Sequence, residues 1–316
     1  MSKKKIVERN GIKGTLHPNG GGFVALTATV AKTAYVGSEA CVLDDAKVFD
    51  KARISGQAKV YDDARVYGHA KVYGYAEVYG HAEVYGDAKV YWRAKVFEKA
   101  KVYGHAKIHG EAEVYEDARV YGHAEVFEDA RVYGDAWVCQ KSAVYCTAEV
   151  YSHARVHGNA EISGGAKIHG NARVYGDAEV CEDASVYNDA SVYDKAKVSG
   201  DAGIFGLAKI YGDAEVYGYA QVYDSAEVYG DARVFGYAEV FQTSKVYENA
   251  RVYGYAEISW HARIFGNAEV YENAEVTDSA EIAENARVCG GAKVAGKFVA
   301  LQSSFLNQKR EYKEEN

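Results

Sequence analysis

Proline and methionine are almost missing from this chain: Pro18 and Met1 are the only ones among 316 residues. Also missing is any apolar run near the roughly 18 residues of a membrane-crossing helix, so no transmembrane helix and no membrane partner are expected. The basic start Met1-Ser2-Lys3-Lys4-Lys5 is not followed by an apolar signal-peptide core, which points to the cytoplasm. The five cysteines, Cys41, Cys139, Cys146, Cys181 and Cys289, are irregularly placed, odd in number and without a CxxC pair. Reduced thiols are the expected state, because cytosolic disulfides are rare. An excess of positive charge is lacking too: the formal net charge of -8 argues against indiscriminate nucleic-acid binding.

What the chain has in excess is 28 Tyr and 32 Gly, and both belong to a repeat. Alanine recurs every six residues from Ala28 to Ala292, replaced only by Ser142 and Ser244, with no insertion or deletion. Val or Ile stands two positions later, usually followed by Tyr and Gly, as in Ala70-Lys71-Val72-Tyr73-Gly74-Tyr75. A chain of this length normally suggests two domains, but such a repeat grows by stacking. Ala and Val, two apart, share one side of a strand, while the residue between them and the Tyr face the other way. Gly can take positive φ at a corner, and the Asp, Asn or His that often follows suits a turn. An inward pair this small cannot fill the space between packed sheets, but it fits a narrow coil with three short sides.

The units resemble the hexapeptide repeat of left-handed parallel β-helix proteins, the superfamily of hexapeptide acyltransferases and γ-type carbonic anhydrases. Val72-Tyr73-Gly74-Tyr75-Ala76 matches at the aliphatic and small positions and departs at the second, where Tyr replaces a small or acidic residue. The likeness covers about 24–300. Pro18-Asn19-Gly20-Gly21-Gly22-Phe23-Val24-Ala25, with Thr33-Ala34-Tyr35-Val36-Gly37, is similar to the opening of uncharacterised bacterial and phage solenoids, a likeness that implies no activity. The resemblance implies an all-β fold: a left-handed parallel β-helix, or triangular β-solenoid, of about fifteen coils with three hexapeptide units each. At roughly 4.8 Å per stacked strand, the rod is expected to be about 70 Å long.

Residues 1–23 and 297–316 break the period and are expected to cap the helix of residues 24–296. Ile6, Val7, Ile12, Leu16 and Phe23 are expected to cover the first coil. Phe298, Val299, Leu301, Phe305 and Leu306 suggest a short capping helix, ahead of a charged, solvated tail from Lys309 to Glu315.

Residues 18 apart should stack, which gives three faces. The first carries Lys47, Arg65, Glu83, Lys101, Arg119, Trp137, Arg155, Arg173, Ser191, Lys209, Glu227, Lys245, Arg263 and Glu281, nine basic and three acidic. Beside it runs a ladder from Phe49 and Tyr67 to Cys139, His157 and Phe265. Bases beside aromatics are the combination that holds single-stranded nucleic acid, but acids at the turns flank every face. The second face is mixed in charge (Lys59, Glu77, Lys95, Glu113, Arg131, Glu149, Lys167) with a long aromatic ladder that could dock a protein, a second copy or sugar rings. On the third face, Ser163, Cys181 and Ser199 leave a gap in the aromatic wall, bordered by Glu161, Glu179 and Lys197. A shallow pocket or a docking slot would look like this.

Departures from the repeat concentrate between residues 137 and 169. Cys139 and His157 should be stacked neighbours, which could make an activated thiolate or two metal ligands. His69, His81, His105, His123, His153 and His261 precede alanine at turns and read as corner residues. In the acyltransferases a catalytic His works with a long loop that builds the acyl-donor cleft; no loop is inserted between residues 28 and 292. The three His ligands of the carbonic anhydrases do not map here. No catalytic residue, metal or cofactor is therefore carried over. The candidate binding patch is Trp137, Cys139, Arg155, His157, Ser163, Cys181, Ser199, Arg119 and Arg173.

The expected function is a non-enzymatic rigid scaffold or protein-binding surface. Its expected partner is another protein or a second copy, since relatives of this fold are often trimers. The alternatives are an acyltransferase-like enzyme, and single-stranded nucleic-acid or glycan binding on an aromatic face.

Overall fold

The computed structural model describes residues 5–300, 305–306 and 311–312. It contains two compact units, Met1–Gly158 and Asn159–Asn316. Each is a parallel β-solenoid with three sheets in a triangular arrangement, and the chain makes about 16 turns in all. No helix occurs among the described residues.

In the first unit, strands β1 (Ile6–Arg9) and β2 (Ile12–Leu16) form an antiparallel hairpin. Its two-residue turn is Asn10-Gly11, both at positive φ, as this dipeptide favours. Strand β2 also pairs antiparallel with β3 (Phe23–Ala25). Of the five apolar residues expected to cover the first coil, only Phe23 is buried; Ile6, Ile12 and Leu16 are exposed and Val7 is half-buried. The hairpin extends a sheet through its backbone and does not fold its side chains over the coil. A Cβ on Gly14 would lie 2.4 Å from the Val24 carbonyl oxygen and 2.6 Å from the Phe23 ring, so only glycine allows this approach.

From β3 onward the strands are short and parallel, and each pairs with the strand 18 residues on. The first face runs from Thr29–Val30 to Arg155–Val156, the second from Phe23–Ala25 to Glu149–Val150, and the third from Tyr35–Val36 to Ala143–Val144. The second unit repeats the plan with its third face beginning at Glu161–Ile162, its second at Lys167–Ile168 and its first at Arg173–Val174. There the period continues past the last alanine of the beat, Ala292. Val299–Ala300, Phe305–Leu306 and Glu311–Tyr312 are strands paired with Glu281–Ile282, Arg287–Val288 and Lys293–Val294. This replaces the expected capping helix. The unpaired edges of the preceding strands are satisfied by adding one more strand on each face. Leu301 of the expected capping helix, and the expected charged tail apart from Glu311–Tyr312, lie outside the described residues.

The interior is the alanine beat made solid. The inward Ala and Val or Ile from Ala34 to Val294 are at 0% exposure throughout. The two replacements also point in: the Ser142 hydroxyl donates to the Cys139 carbonyl oxygen at 2.8 Å and the Ser244 hydroxyl to that of Phe241 at 2.7 Å. A buried hydroxyl needs such a partner, and the corner's own carbonyl supplies it without disturbing the coil.

Turn residues do more than turn. From Asp44 to Gly296 the first residue of each corner has positive φ, in glycine and in residues such as Asp50, Glu98, Glu128, Glu182 and Glu272. Acids there reach along the axis and accept a backbone N–H one coil later: Asp50 from Gly68 at 3.0 Å, Glu128 from Cys146 at 2.9 Å, Glu272 from Gly290 at 2.8 Å. A charge-assisted bond of this kind offsets the cost of positive φ in a residue with a Cβ. Many turn acids therefore clamp successive coils.

Candidate functional site

On the first face of the first unit, Arg119, Trp137 and Arg155 stand on paired strands. The Arg119 and Arg155 guanidinium carbons lie 5.3 and 4.8 Å from the Trp137 ring centre, so one indole separates two cations and attracts both. Lower in the column, Glu83 takes Lys101 at 3.6 Å and the Tyr67 hydroxyl at 3.0 Å. The adjoining corner pairs itself off, with His81 on Asp63, Lys99 on Asp117 and His153 on Asp135. The expected basic column is thus interrupted at Glu83 and Trp137, and acids and bases are mixed along its edge.

Cys139 and His157 are stacked as expected, with the Cys139 N–H donating to the Val156 carbonyl at 2.9 Å. The thiol is only 8% exposed. Burial pushes its pKa up, against the opposing effect of a hydrogen bond with Tyr121, whose own pKa is pushed up to about 12 chiefly by burial. A nucleophile or a metal ligand needs the opposite shift. Among the described residues, no three His, Cys, Asp or Glu side chains converge so as to hold a metal ion.

The other candidates belong to the second unit. Ser163, Cys181 and Ser199 stack on its third face, joined by backbone hydrogen bonds of 2.9–3.0 Å to the next coil. They are half-buried, and Lys197 bridges to Glu179 at 3.0 Å beside them. Burial first, then Glu182 and Glu179, pushes the Cys181 thiol up. Arg173 is on the first face, in register with Ser191. The nine candidates are therefore a Trp–Arg sandwich and a buried thiol in one unit, and a small-residue gap and one arginine in the other.

The corners hold features that the candidate patch omits. Because each corner alanine points inward, the outward residues before and after it leave a groove between them, and stacking prolongs the groove along the axis. Several such grooves lie in the first unit. One, of about 300 Å³, is lined by Arg93, Lys95, Glu111, Glu113, Asp129 and Arg131, three of each sign. Another, of about 510 Å³, is lined by Lys51, Arg53, His69, Lys71, Asp87, Lys89, His105, Lys107 and His123. The second unit has one of about 430 Å³ with five acids and three bases, from Asp177 and Glu179 to Asp231 and Arg233.

The 510 Å³ groove is basic for a specific reason. On the third face Arg53, Lys71, Lys89 and Lys107 are in consecutive register, with no acid between them. Arg53 lies over the Tyr35 ring at 4.5 Å and Lys107 pairs with Glu125. Lys51, Lys71 and Lys89 have no ion-pair partner among the described residues. His105 meets Asp87 at 3.9 Å and stacks on His123 with ring centres 4.7 Å apart. The signal is present in the sequence: the third face, tallied for charge at 18-residue spacing, shows the four cations in a row.

No protein-family model matches the chain, and no curated protein matches it in sequence. The parallel β-helix fold therefore stands on the repeat and the geometry.

Proposed function

We propose that the protein is a non-enzymatic, rigid scaffold that binds partners on its outer surface. One observation carries this reading: the outside is organised as ladders along each unit, and among the described residues no segment leaves the coil to build a lid or cleft. On the second face of the first unit, Tyr61, Tyr79, Phe97, Tyr115, Tyr133 and Tyr151 stack at 4.8–4.9 Å with interplanar angles of 2–7°. Tyr61 and Tyr133 also donate to Glu77 and Glu149. Such a surface offers regularly repeated contacts and little that reacts.

The surface best suited to a protein partner is a corner of the second unit. Tyr219, Tyr237 and Tyr255 stack at 4.9 and 5.0 Å while remaining 50–60% exposed. Exposed aromatics of this kind are typical interface anchors. The first partner to test is a second copy, as in the oligomers of the hexapeptide-repeat proteins that the chain resembles. Sedimentation equilibrium of the full chain should show self-association at high micromolar concentration, weakened in Tyr237→Lys. A clean monomer would remove self-association. Stabilisation by acyl-CoA with turnover would overturn the non-enzymatic reading.

A further inference from the structure

We infer that the basic corner groove of the first unit, running from Lys51 to His123, binds a linear phosphate chain without bases, of which inorganic polyphosphate is the simplest. This deepens the reading of the chain as a binding surface by naming a ligand class.

The charge is the first argument. Like charges on directly paired strands destabilise a sheet, and the groove places four in register where the second face alternates. An anion that bridges the rungs removes that repulsion. Groove shape is the second. One wall is the last turn residue of each corner and the other the strand residue two positions on, roughly 6 Å away along the chain, so it is one chain wide. Five rungs at roughly 4.8 Å make it about 19 Å long and open along its length. A linear ligand fits and a duplex does not.

Donor chemistry separates phosphate from carboxylate. The unpaired cations are lysines, compact charges that suit a tetrahedral oxyanion, whereas planar guanidinium forks suit carboxylates. The single arginine in the groove, Arg53, is engaged by Tyr35. Bases are disfavoured for another reason. A single strand is held by stacking on free ring faces, but in the adjoining ladder Tyr73, Tyr91, His109 and Phe127 cover one another's faces at 4.7–5.1 Å.

The test is binding of fluorescently labelled polyphosphate to the full chain, read by anisotropy, with oligo-dT and poly-glutamate of similar charge as competitors. Binding is expected, weakening about twentyfold between about 50 and 200 mM salt for three neutralised charges, those of Lys51, Lys71 and Lys89. The double variant Lys71→Glu/Lys89→Glu should lose on the order of tenfold or more, while Lys101→Glu on the first face should lose little. The double variant replaces three like-charge contacts in the column with one and sets an acid beside each of Arg53 and Lys107, so it should fold; unchanged far-ultraviolet circular dichroism checks this, and Lys71→Gln/Lys89→Gln gives a second, milder version. No binding at low salt, or binding unchanged in both double variants, overturns the inference. Competition by oligo-dT at equal charge reassigns the groove to single-stranded nucleic acid. Equal competition by poly-glutamate reduces it to unspecific attraction. Each of these is read independently of oligomeric state, so a monomer that binds polyphosphate sinks self-association alone.

Discussion

Two faces of the first unit share one interior and differ outside. Behind both lie alanine and a β-branched residue at 0% exposure, Ala106 and Ile108 on the third face and Ala112 and Val114 on the second. Outside, the second face alternates Lys59, Glu77, Lys95, Glu113, Arg131 and Glu149 in register. Its pairs close at 2.9 Å for Lys59–Glu77, 3.0 Å for Lys95–Glu113 and 3.8 Å for Arg131–Glu149. The third face sets Arg53, Lys71, Lys89 and Lys107 side by side. The inward column is the same behind either pattern, so the core does not dictate the charge order. Charge order is thus a free variable of the fold, and a run that costs stability calls for another explanation.

The largest effect should come from the part the faces share. Ala106→Leu and Ala112→Leu each force added bulk into a filled coil, at a cost of about 1–3 kcal/mol. Chemical denaturation of the two variants should show equal losses. A large loss in one and tolerance in the other would mean that the interiors differ, and the comparison between the faces would no longer isolate charge.

Alkali should separate the faces next. Burial raises the tyrosine pKa values on both. On the second face Glu77 and Glu149 raise Tyr61 and Tyr133 further, whereas on the third Lys107 works against the rise at Tyr73 and Tyr91. A raised acid keeps its proton in the folded state where the unfolded chain, near 10, has lost it. The folded state then binds more protons, so this stability is whole below about pH 10 and is lost as pH climbs. For Tyr121 and Tyr193 the window extends to about 12. Alkaline unfolding should therefore be steep. In an ultraviolet titration, Tyr73→Phe and Tyr91→Phe should remove signal that appears earlier than the signal removed by Tyr61→Phe and Tyr133→Phe. The reverse order would show that the lysine run does not set the local field.

The inward column and the pairing register were legible because each depends on spacing alone: Ala, two residues, Val, and 18 to the next coil. The stacking of Cys139 on His157 followed from the same count. Its chemistry did not, because the burial of a thiol and its bond to Tyr121 depend on side-chain height above the sheet. The turn clamps were hidden too. That the Glu128 carboxylate reaches the N–H of Cys146 follows from positive φ at residue 128, which no composition count reveals for glutamate. At the C-terminal end, Phe298 stands where the beat would place alanine, so the spacing hides the strands Val299–Ala300 and Phe305–Leu306, which start six residues apart. The basic groove was legible in principle, since it needs only the third-face residues between Ala and Val.

A direct reversal of the ordered face should cost less than an overpacked core. Glu113→Lys removes the partner of Lys95 at 3.0 Å and of Arg131 at 3.9 Å and sets three cations in a row. Adjacent like charges and two lost, partly exposed pairs amount to about 1 kcal/mol, or a melting point lower by about 2–4 °C. Added salt should return part of this loss. An unchanged melting point at low salt would show that side-chain flexibility already relieves such runs, and the basic groove would then carry no strain.

The mirror experiment has the smallest effect and the opposite sign. Lys89→Glu puts an acid between Lys71 and Lys107, which are in register on either side. Lys71 has no competing partner among the described residues, but Lys107 already has Glu125, so only one new pair forms in full. The gain should be a few tenths of a kcal/mol, toward the lower end of the range of about 0.2–1 for a cross-strand pair, raising the melting point by about 1 °C. A substitution that stabilises the coil while weakening polyphosphate binding would separate what the fold needs from what the groove is for. If Lys89→Glu destabilises instead, the lysine run is part of the scaffold's own support, and the contrast with the alternating face loses its functional meaning.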